Sequence, residues 1–393
     1  MNIDELYEEI NKLLPVVRDS DDFIDDLKKA LNKYSALLKS LDSTYLCSID
    51  INRIESLVES IKRCIKYYYE GLHSAAFSEI NMQLSGDGEK LKGLLDTINL
   101  YTIQKDVYLY RGRIFDDNRA KTYKDMFHIP LEERGVVQTQ RYSFPGYPCL
   151  YIGCSIQACW EELKRPKFDN LMISGFKATR NIPLFDLRIP SQEDYEERKL
   201  GNTLLRLPLI ISCSIKVKNE KDNYKPEYII PQLLTESIIS INRKRREIDW
   251  NLDDFVLGVI YTSVYFNDDL KYQSNISGNI AIPVLDVSQS KGSCNILAEC
   301  FCITNPTCYE YEEIRKDFSM DPEYIVLSQT TSPNQNYILS KPGKLEFRIK
   351  TLSVNQFDYI IIPPSITLSS VGSVVQVPIR ASGDWRIEEV IEQ

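Results

Sequence analysis

The spacing of apolar residues changes abruptly near residue 105, and this change limits the chain to an architecture with two kinds of structure. Upstream, apolar residues recur every three or four positions, as in Leu6, Ile10 and Leu13, which predicts amphipathic helices. Downstream, short runs of β-branched and aromatic residues are separated by Gly, Pro and Asn, as in Val107–Tyr110, which predicts strands. The pattern therefore predicts an α+β fold.

The first two regions follow directly from this change of period. Residues 1–100 are predicted to form a helical bundle, in which Pro15 ends the first helix and the Asp19–Asp22 segment begins the second. Residues 105–320 combine strand-like runs, such as Leu209–Ile211, with helical stretches at 155–164 and 231–242. This mixture predicts a mixed or antiparallel sheet rather than a regular series of parallel units.

Residues 321–393 are interpreted as a β-rich extension packed on the middle region. Alternation of apolar and charged residues in Leu345–Lys350 predicts a strand, and so do the apolar runs Tyr359–Ile362 and Val374–Ile379. The pattern does not indicate what this extension does.

The composition is that of a soluble globular protein and excludes several classes of function. Of its 393 residues 43% are hydrophobic and 26% are charged, with a net charge of −9, which argues against a general nucleic-acid binder. The one basic run, Arg243–Arg246, is followed by Glu247 and is interpreted as a solvated helix face. With no long apolar run and an acidic start, Met1–Glu5, we expect a cytoplasmic protein without a membrane partner.

Ten cysteines and two histidines offer few metal sites. Cysteines 294, 300, 302 and 308 could supply four thiolates to zinc, but no Cys-x-x-Cys pair is present, and we interpret them as reduced thiols, with Cys300 and Cys302 on one strand face. Two histidines also make a Ser-His-Asp triad improbable. We therefore expect neither a metal nor a cofactor.

An Arg, an acidic pair and a Ser stand in separate segments rich in Gly, Pro and Tyr. Guanidinium groups such as Arg111 and Arg141, expected in turns at strand ends, bind phosphates in a two-pronged fashion. A carboxylate near a ribose stabilises a cationic, oxocarbenium-like sugar. Ser263 can hold a ribose hydroxyl. Three tyrosines could stack on a base: Tyr110, Tyr151 and Tyr261.

The helical period distinguishes the two members of the acidic pair. Glu162 lies seven residues after Ser155, which is two helical turns, so the two share one helix face, whereas Glu161 falls about 100° away. This favours Glu162 as the inward carboxylate. Taken one by one, however, such residues are more often surface ion pairs, half-buried packing or solvated charge.

These segments resemble the RES domain, a family of bacterial NAD-consuming proteins named for its Arg, Glu and Ser and similar in fold to ADP-ribosyltransferases. The resemblance covers roughly residues 105–310. It is carried by five segments: Tyr110-Arg111, Arg141–Gly146, Cys149–Ser155, Cys159–Glu162 and Gly258–Ser263. It implies an ADP-ribosyltransferase-like sheet with NAD as the substrate and no separate cofactor.

The resemblance also implies roles for individual residues. Arg111 would hold the NAD phosphates with help from Arg141, Glu162 would stabilise the transition state, and Ser263 would orient the substrate. The remaining candidates are expected to contact the substrate: Tyr110, Tyr151, Tyr261 and Ser155. Glu161 is the less certain of the two carboxylates.

Small members of the RES family are toxins paired with an antitoxin that plugs the NAD cleft, whereas this chain is about twice as long. Its first 100 residues resemble the HEPN-like helical region that begins some long RES proteins. The RNase motif of that region is not satisfied, because Arg63 and His73 are ten positions apart. We interpret the region as a regulator that restrains the cleft or senses a phage-derived trigger.

The expected activity is NAD degradation, by a glycohydrolase or a phosphorylase, in an antiphage or growth-arrest toxin. Inorganic phosphate is a second ligand if the enzyme is a phosphorylase. Two alternatives stay open at this level, namely ADP-ribose transfer to a macromolecule and sensing of NAD or ADP-ribose without turnover. The sequence also leaves open an antitoxin partner and a homo-oligomer.

Overall fold

The N-terminal hundred residues are helical, as their spacing predicts. The computed structural model describes residues 1–46, 49–86, 92–115, 122–248, 252, 255–266, 274–285, 291–309, 340–352 and 360–361. The first region holds α1 (Ile3–Leu13), α2 (Phe23–Lys39), α3 (Ser43–Leu46), α4 (Ile51–Tyr69) and α5 (His73–Ser85). The Asp22 side chain accepts hydrogen bonds from the amides of Ile24 and Asp25, which confirms the predicted start of α2.

A nine-stranded mixed sheet forms the middle of the molecule. Its strands are β1 (Tyr101–Ile103), β2 (Tyr108–Ile114), β3 (Cys149–Gly153), β4 (Leu171–Ala178), β5 (Ile182–Leu187), β6 (Gly258–Thr262), β7 (Gly278–Pro283), β8 (Phe301–Ile303) and β9 (Ile360–Ile361). The spatial order is β1-β5-β6-β7-β3-β2-β4-β8-β9, and among these described strands β5 and β6 pair in parallel while the other neighbours are antiparallel. The predicted α+β class is confirmed.

The described residues between the strands of this region form α6 (Ile156–Glu162), α7 (Glu197–Cys213), α8 (Ile229–Ile248), α9 (Ser274–Ser277) and α10 (Asn295–Cys300). The helical stretches predicted at 155–164 and 231–242 are confirmed as α6 and α8. The strand predicted at Leu209–Ile211 is wrong, because these residues lie in α7. That helix is buried on almost every side, and a short apolar run does not distinguish a buried helix from a strand.

One hydrophobic core joins the N-terminal helices to the sheet. Apolar side chains of α1, α2 and α4 pack with those of α7 and α8, and the same cluster continues into the sheet through Val259 and Ala281. Inside this core the Tyr34 hydroxyl donates a 2.6 Å hydrogen bond to the carbonyl of Leu204. The predicted regions 1–100 and 105–320 are therefore in continuous contact.

The predicted strand at Leu345–Lys350 is also wrong, because a helix, α11 (Lys341–Leu352), occupies this position. Leu345 and Ile349 are four residues apart, so both lie on the face of α11 that packs with Ile156 of α6. The run Tyr359–Ile362 contributes β9, which pairs with β8. The run Val374–Ile379 lies outside the described residues.

Two smaller expectations are also resolved. Cys300 ends α10 and Cys302 lies in β8, so the two do not share a strand as predicted. The basic run Arg243–Arg246 lies near the end of α8 with mostly exposed side chains, as expected. Among the described helices, none is both long and apolar enough to cross a bilayer.

Candidate functional site

A cavity opens where two neighbouring strands of the sheet separate. β2 pairs with β4 along its whole length, but its register with β3 is a single pair, Tyr110 with Gly153. The resulting space of about 550 Å³ is lined by β2, β3, residues 136–143, the end of α6 and the loop between α7 and α8. This volume is within the range of about 300–1,000 Å³ that is usual for small-molecule sites.

The position of α6 depends on a glycine and a serine at its start. A Cβ atom on Gly153 would lie 2.9 Å from Cys159 Sγ and 2.9 Å from the Ser155 carbonyl, so only glycine allows α6 this close to β3. The Ser155 hydroxyl accepts from the Ala158 amide and donates to the Ile276 carbonyl. Ser155 therefore fixes the start of α6 and lies outside the cavity lining.

Glu162, the last residue of α6, reaches the cavity. Its Oε2 accepts a 2.7 Å hydrogen bond from Ser263 Oγ and a 3.1 Å bond from Asn279 Nδ2. Within the described residues no hydrogen bond reaches Oε1, so this oxygen can face a ligand. Burial raises the pKa of Glu162, while the Ser263 hydrogen bond and the charge of Arg141 oppose this rise.

Glu161 points elsewhere, as the helical period predicts. Its side chain is 2% exposed and accepts hydrogen bonds from Gln157 Nε2 at 2.8 Å and from Arg165 Nε at 2.7 Å. It does not line the cavity. Its carboxylate is already paired, which is the ordinary structural role of a buried charge.

Arg111 is a buried cation for which the described residues supply no counter-charge. It lies in the middle of β2, not in a turn at a strand end as predicted, and its Nη1 atom is buried with no hydrogen-bond partner in the described part of the chain. Burial, and then the neighbouring Arg113, lower the pKa of Arg111 to about 9. Both arginines line the cavity. Two guanidinium groups next to each other on the cavity wall favour an anionic ligand.

Arg141 also lines the cavity, but two of its hydrogen bonds are internal. Its Nη1 donates to the carbonyls of Cys213 at 2.8 Å and Ile215 at 3.0 Å, at the end of α7. Its Cζ lies 5.3 Å from the centre of the Tyr228 ring, a cation–π distance. Arg141 therefore connects its own turn to the loop after α7 and adds positive charge near Glu162.

The predicted tyrosines divide into two groups. Tyr151 and Tyr261 line the cavity, and the Tyr261 hydroxyl is buried with no partner among the described residues. The ring of Tyr142, on the turn beside them, lies 4.6 Å from that of Tyr261 at an interplanar angle of 44°, and the Tyr142 backbone amide donates to the Tyr151 hydroxyl. Tyr110 is not brought to the cavity, because it alternates with Arg111 along β2 and packs against α6 and α11.

The sequence reasoning missed several lining residues. Asn279 is a polar residue in the otherwise apolar strand β7, and this contrast was the signal that could have identified it. Arg113 follows Arg111 by two positions and therefore shares its face of β2. No local signal marks Lys164, Glu220 or Tyr265, which meet only through folding. Lys164 pairs with Glu220 at 3.2 Å, and the Tyr265 hydroxyl donates to Glu220.

The chain was compared with known proteins. A protein of Bacillus subtilis (strain 168) that carries the name "Putative toxin YopC" is 31% identical over 352 residues, which cover 85% of this chain and 74% of that protein. The chain belongs to the family of that protein. No family model matches the chain. No solved structure matches it either.

Proposed function

We propose that the chain is an NAD-degrading enzyme of the RES type, with an ADP-ribosyltransferase-like sheet, that acts as a toxin. The observation that carries the proposal is that Glu162 and Arg111 line one cavity, where Glu162 accepts a hydrogen bond from Ser263, a buried residue behind the lining, and Arg111 Nη1 has no partner among the described residues. Arg, Glu and Ser are the three residues for which the RES family is named. The printed name of the Bacillus subtilis relative supports the toxin role.

The proposed reaction breaks the bond between ribose C1′ and the nicotinamide nitrogen. The electron pair of that bond stays with nicotinamide, whose ring thereby loses its positive charge, and C1′ becomes an oxocarbenium-like cation. The Glu162 carboxylate stabilises this cation, and Arg111 with Arg113 binds the two phosphates. An oxygen of water or inorganic phosphate then bonds to C1′ and its proton is released to solvent, which gives ADP-ribose or a phosphorylated ADP-ribose.

Electrostatics within the site support this division of roles. Glu162 is half-buried, and a partly desolvated carboxylate stabilises a nearby cation more strongly than one in water. Ser263 and Asn279 donate to the same carboxylate oxygen, which keeps the group oriented before the substrate binds. The paired Glu161 lacks this arrangement.

The direct test is to incubate the purified chain with NAD, with and without millimolar phosphate, and to separate the products by chromatography. We expect release of nicotinamide, which Glu162→Gln abolishes. ADP-ribose in both samples identifies a glycohydrolase, and a phosphorylated product that needs phosphate identifies a phosphorylase. Radiolabel from NAD that becomes attached to a macromolecule identifies an ADP-ribosyltransferase, and intact NAD in every sample contradicts the proposed degradation.

The toxin role has a separate test. Induced expression of the wild-type chain in bacteria is expected to arrest growth and to lower cellular NAD, whereas the Glu162→Gln variant at the same protein level does neither. Growth arrest by both versions would show that toxicity does not depend on NAD cleavage. Normal growth with either version would contradict toxicity under those conditions.

A further inference from the structure

The loop between α7 and α8 closes one side of the cavity. We call residues 214–228 the rim segment. Glu220 and Tyr228 of this segment line the cavity and contact lining residues on the other elements. Glu220 pairs with Lys164 after α6, and the Tyr228 ring lies beside Arg141. The shape of this side of the cavity therefore depends on where the rim segment lies.

The N-terminal region holds the rim segment through a buried ion pair. Arg18 Nη1 donates to Glu227 Oε1 at 2.8 Å, and Arg18 Nε donates to Asp26 Oδ2 at 3.3 Å. The side chains of Arg18 and Glu227 are only 7% and 2% exposed. Glu227 Oε1 also accepts from the Lys218 amide at 3.2 Å. The Glu227 carboxylate therefore joins two parts of the rim segment and also binds Arg18.

Two further hydrogen bonds join the rim segment to backbone carbonyls of the N-terminal region. The Lys216 amide donates to the Val16 carbonyl at 2.9 Å, and Lys218 Nζ donates to the Ser20 carbonyl at 2.9 Å. No residue of 1–100 is among the residues described as lining the cavity. The described part of the N-terminal region therefore touches the outside of the rim segment and does not line the cavity.

We propose that Arg18 and Glu227 are positioning residues through which the N-terminal helical region sets the affinity of the cavity for its ligand. The inference deepens the proposed function and rests on it. A buried ion pair that loses one partner leaves an uncompensated charge, so loss of Arg18 should destabilise the attachment of the rim segment. When it is intact, Tyr228 and Arg141 are held in the binding geometry. A signal received by the N-terminal helices can reach the site through this contact.

The experiment compares three variants of the full chain. Arg18→Met removes the ion pairs of Arg18 with both Glu227 and Asp26, and Arg18→Lys keeps the charge. Arg63→Met removes the more exposed pair of Arg63 with Glu79, which joins α4 to α5 away from the cavity. Each variant is assayed for NAD turnover, melting temperature and hydrogen–deuterium exchange. Exchange of the rim segment and of residues 138–143 is followed by mass spectrometry.

For Arg18→Met we expect KM for NAD to rise about tenfold with kcat within about twofold, because Glu162 is untouched while ligand contacts loosen. Exchange should accelerate in the rim segment and in residues 138–143 together. Arg18→Lys should restore most of the KM, and Arg63→Met should change neither KM nor exchange at these sites. Unchanged KM and exchange in a folded Arg18→Met protein would overturn the inference.

A second readout distinguishes failure of the proposed NAD cleavage from failure of the positioning role. If the wild-type chain leaves NAD intact, the dissociation constant for pyrophosphate, measured by calorimetry, replaces KM as the readout. Weaker pyrophosphate binding in Arg18→Met together with faster exchange of the rim segment supports the positioning role. Equal binding and equal exchange in all variants overturns it. Should Arg18→Met not fold, Glu227→Gln, which removes the charge but keeps an amide oxygen, is measured in its place.

Discussion

Ser263 Oγ donates a 2.7 Å hydrogen bond to Glu162 Oε2, although 101 residues separate them in the chain. Ser263 follows the end of β6, and Glu162 ends α6. Burial raises the pKa of Glu162, and the Ser263 hydrogen bond is the largest of the effects that oppose the rise. The Ser263 hydrogen bond therefore favours the charged form of a partly desolvated carboxylate, which is the form that the proposed chemistry uses.

Replacing one of two adjacent glutamates tests the assignment of the catalytic carboxylate. Glu162→Gln should lower kcat for NAD cleavage about 100-fold or more, because it removes charge stabilisation made chiefly in the transition state. Glu161→Gln is the matched control and should change kcat only a few-fold, since its carboxylate is paired with Arg165. Steady-state nicotinamide release measures both, and loss of turnover in Glu161→Gln alone would reverse the assignment.

Removal of the Ser263 hydroxyl should shift the pH dependence of turnover. Because this hydroxyl lowers the pKa of Glu162, Ser263→Ala should raise that pKa and move the acidic limb of the kcat profile to higher pH. A hydrogen bond to a charged group contributes about 1.5–3 kcal/mol, so kcat should also fall. Ser237→Ala, at a buried serine of α8, is the control; an identical shift in both variants would contradict the role of Ser263.

The raised pKa of Glu162 also predicts how stability depends on pH. A carboxyl whose pKa is higher in the folded state binds protons more tightly when folded, so the protein loses stability as pH rises from the ordinary value of 4.5 through the raised pKa. Glu162→Gln lacks this titration. We expect it to gain stability relative to wild type across that window and to keep the gain at neutral pH. Urea unfolding from pH 4 to 8 measures the difference, and a constant difference would refute the explanation.

Arg111→Met should stabilise the protein without ligand and abolish anion binding. An unpaired buried cation lowers stability, and its replacement by an apolar side chain removes a cost of about 1–3 kcal/mol. Pyrophosphate should raise the melting temperature of wild type and leave that of the variant unchanged. Arg188→Met is the contrast, since Arg188 is paired with Asp186 at 2.9 Å and its loss should destabilise. A lower melting temperature in both variants would show that Arg111 has a partner in solution.

Gly153→Ala should displace α6 and reduce turnover. Its Cβ atom would lie 2.9 Å from both Cys159 Sγ and the Ser155 carbonyl, and relief of this overlap costs about 1–3 kcal/mol and moves Glu162. Gly135→Ala is the control, because a Cβ atom there meets nothing within 4 Å. Thermal unfolding and kcat are measured for both. Equal behaviour of the two variants would mean that α6 does not depend on this close approach.

The sequence predicted the features that depend on local spacing. Apolar residues at steps of three and four identified the N-terminal helices, and the capping role of the Asp19–Asp22 segment was correct because a cap involves neighbouring residues. The seven-residue step from Ser155 to Glu162 separated the two glutamates because a helix has a fixed period. Their catalytic roles stay predictions.

Other predictions failed where packing overrides local pattern. Leu209–Ile211 lies in a helix because α7 is buried between the N-terminal helices and the sheet, where an apolar run suits either structure. Leu345–Lys350 is helical because its apolar residues pack on α6 at helical spacing. Tyr110 was assigned to the site with Arg111, yet adjacent strand residues face opposite sides.

The sequence alone determined a helical first region and an α+β class, since helix period and strand composition are local properties. The candidate set of Arg111, Glu162 and Ser263 came from the resemblance of its motifs to the RES family. Tertiary structure alone decided that β2 and β3 separate to open a cavity, that Asn279 joins Ser263 on Glu162, and that Arg18 holds the rim segment. These contacts join residues that are far apart in the chain, and no local pattern encodes the packing that brings them together.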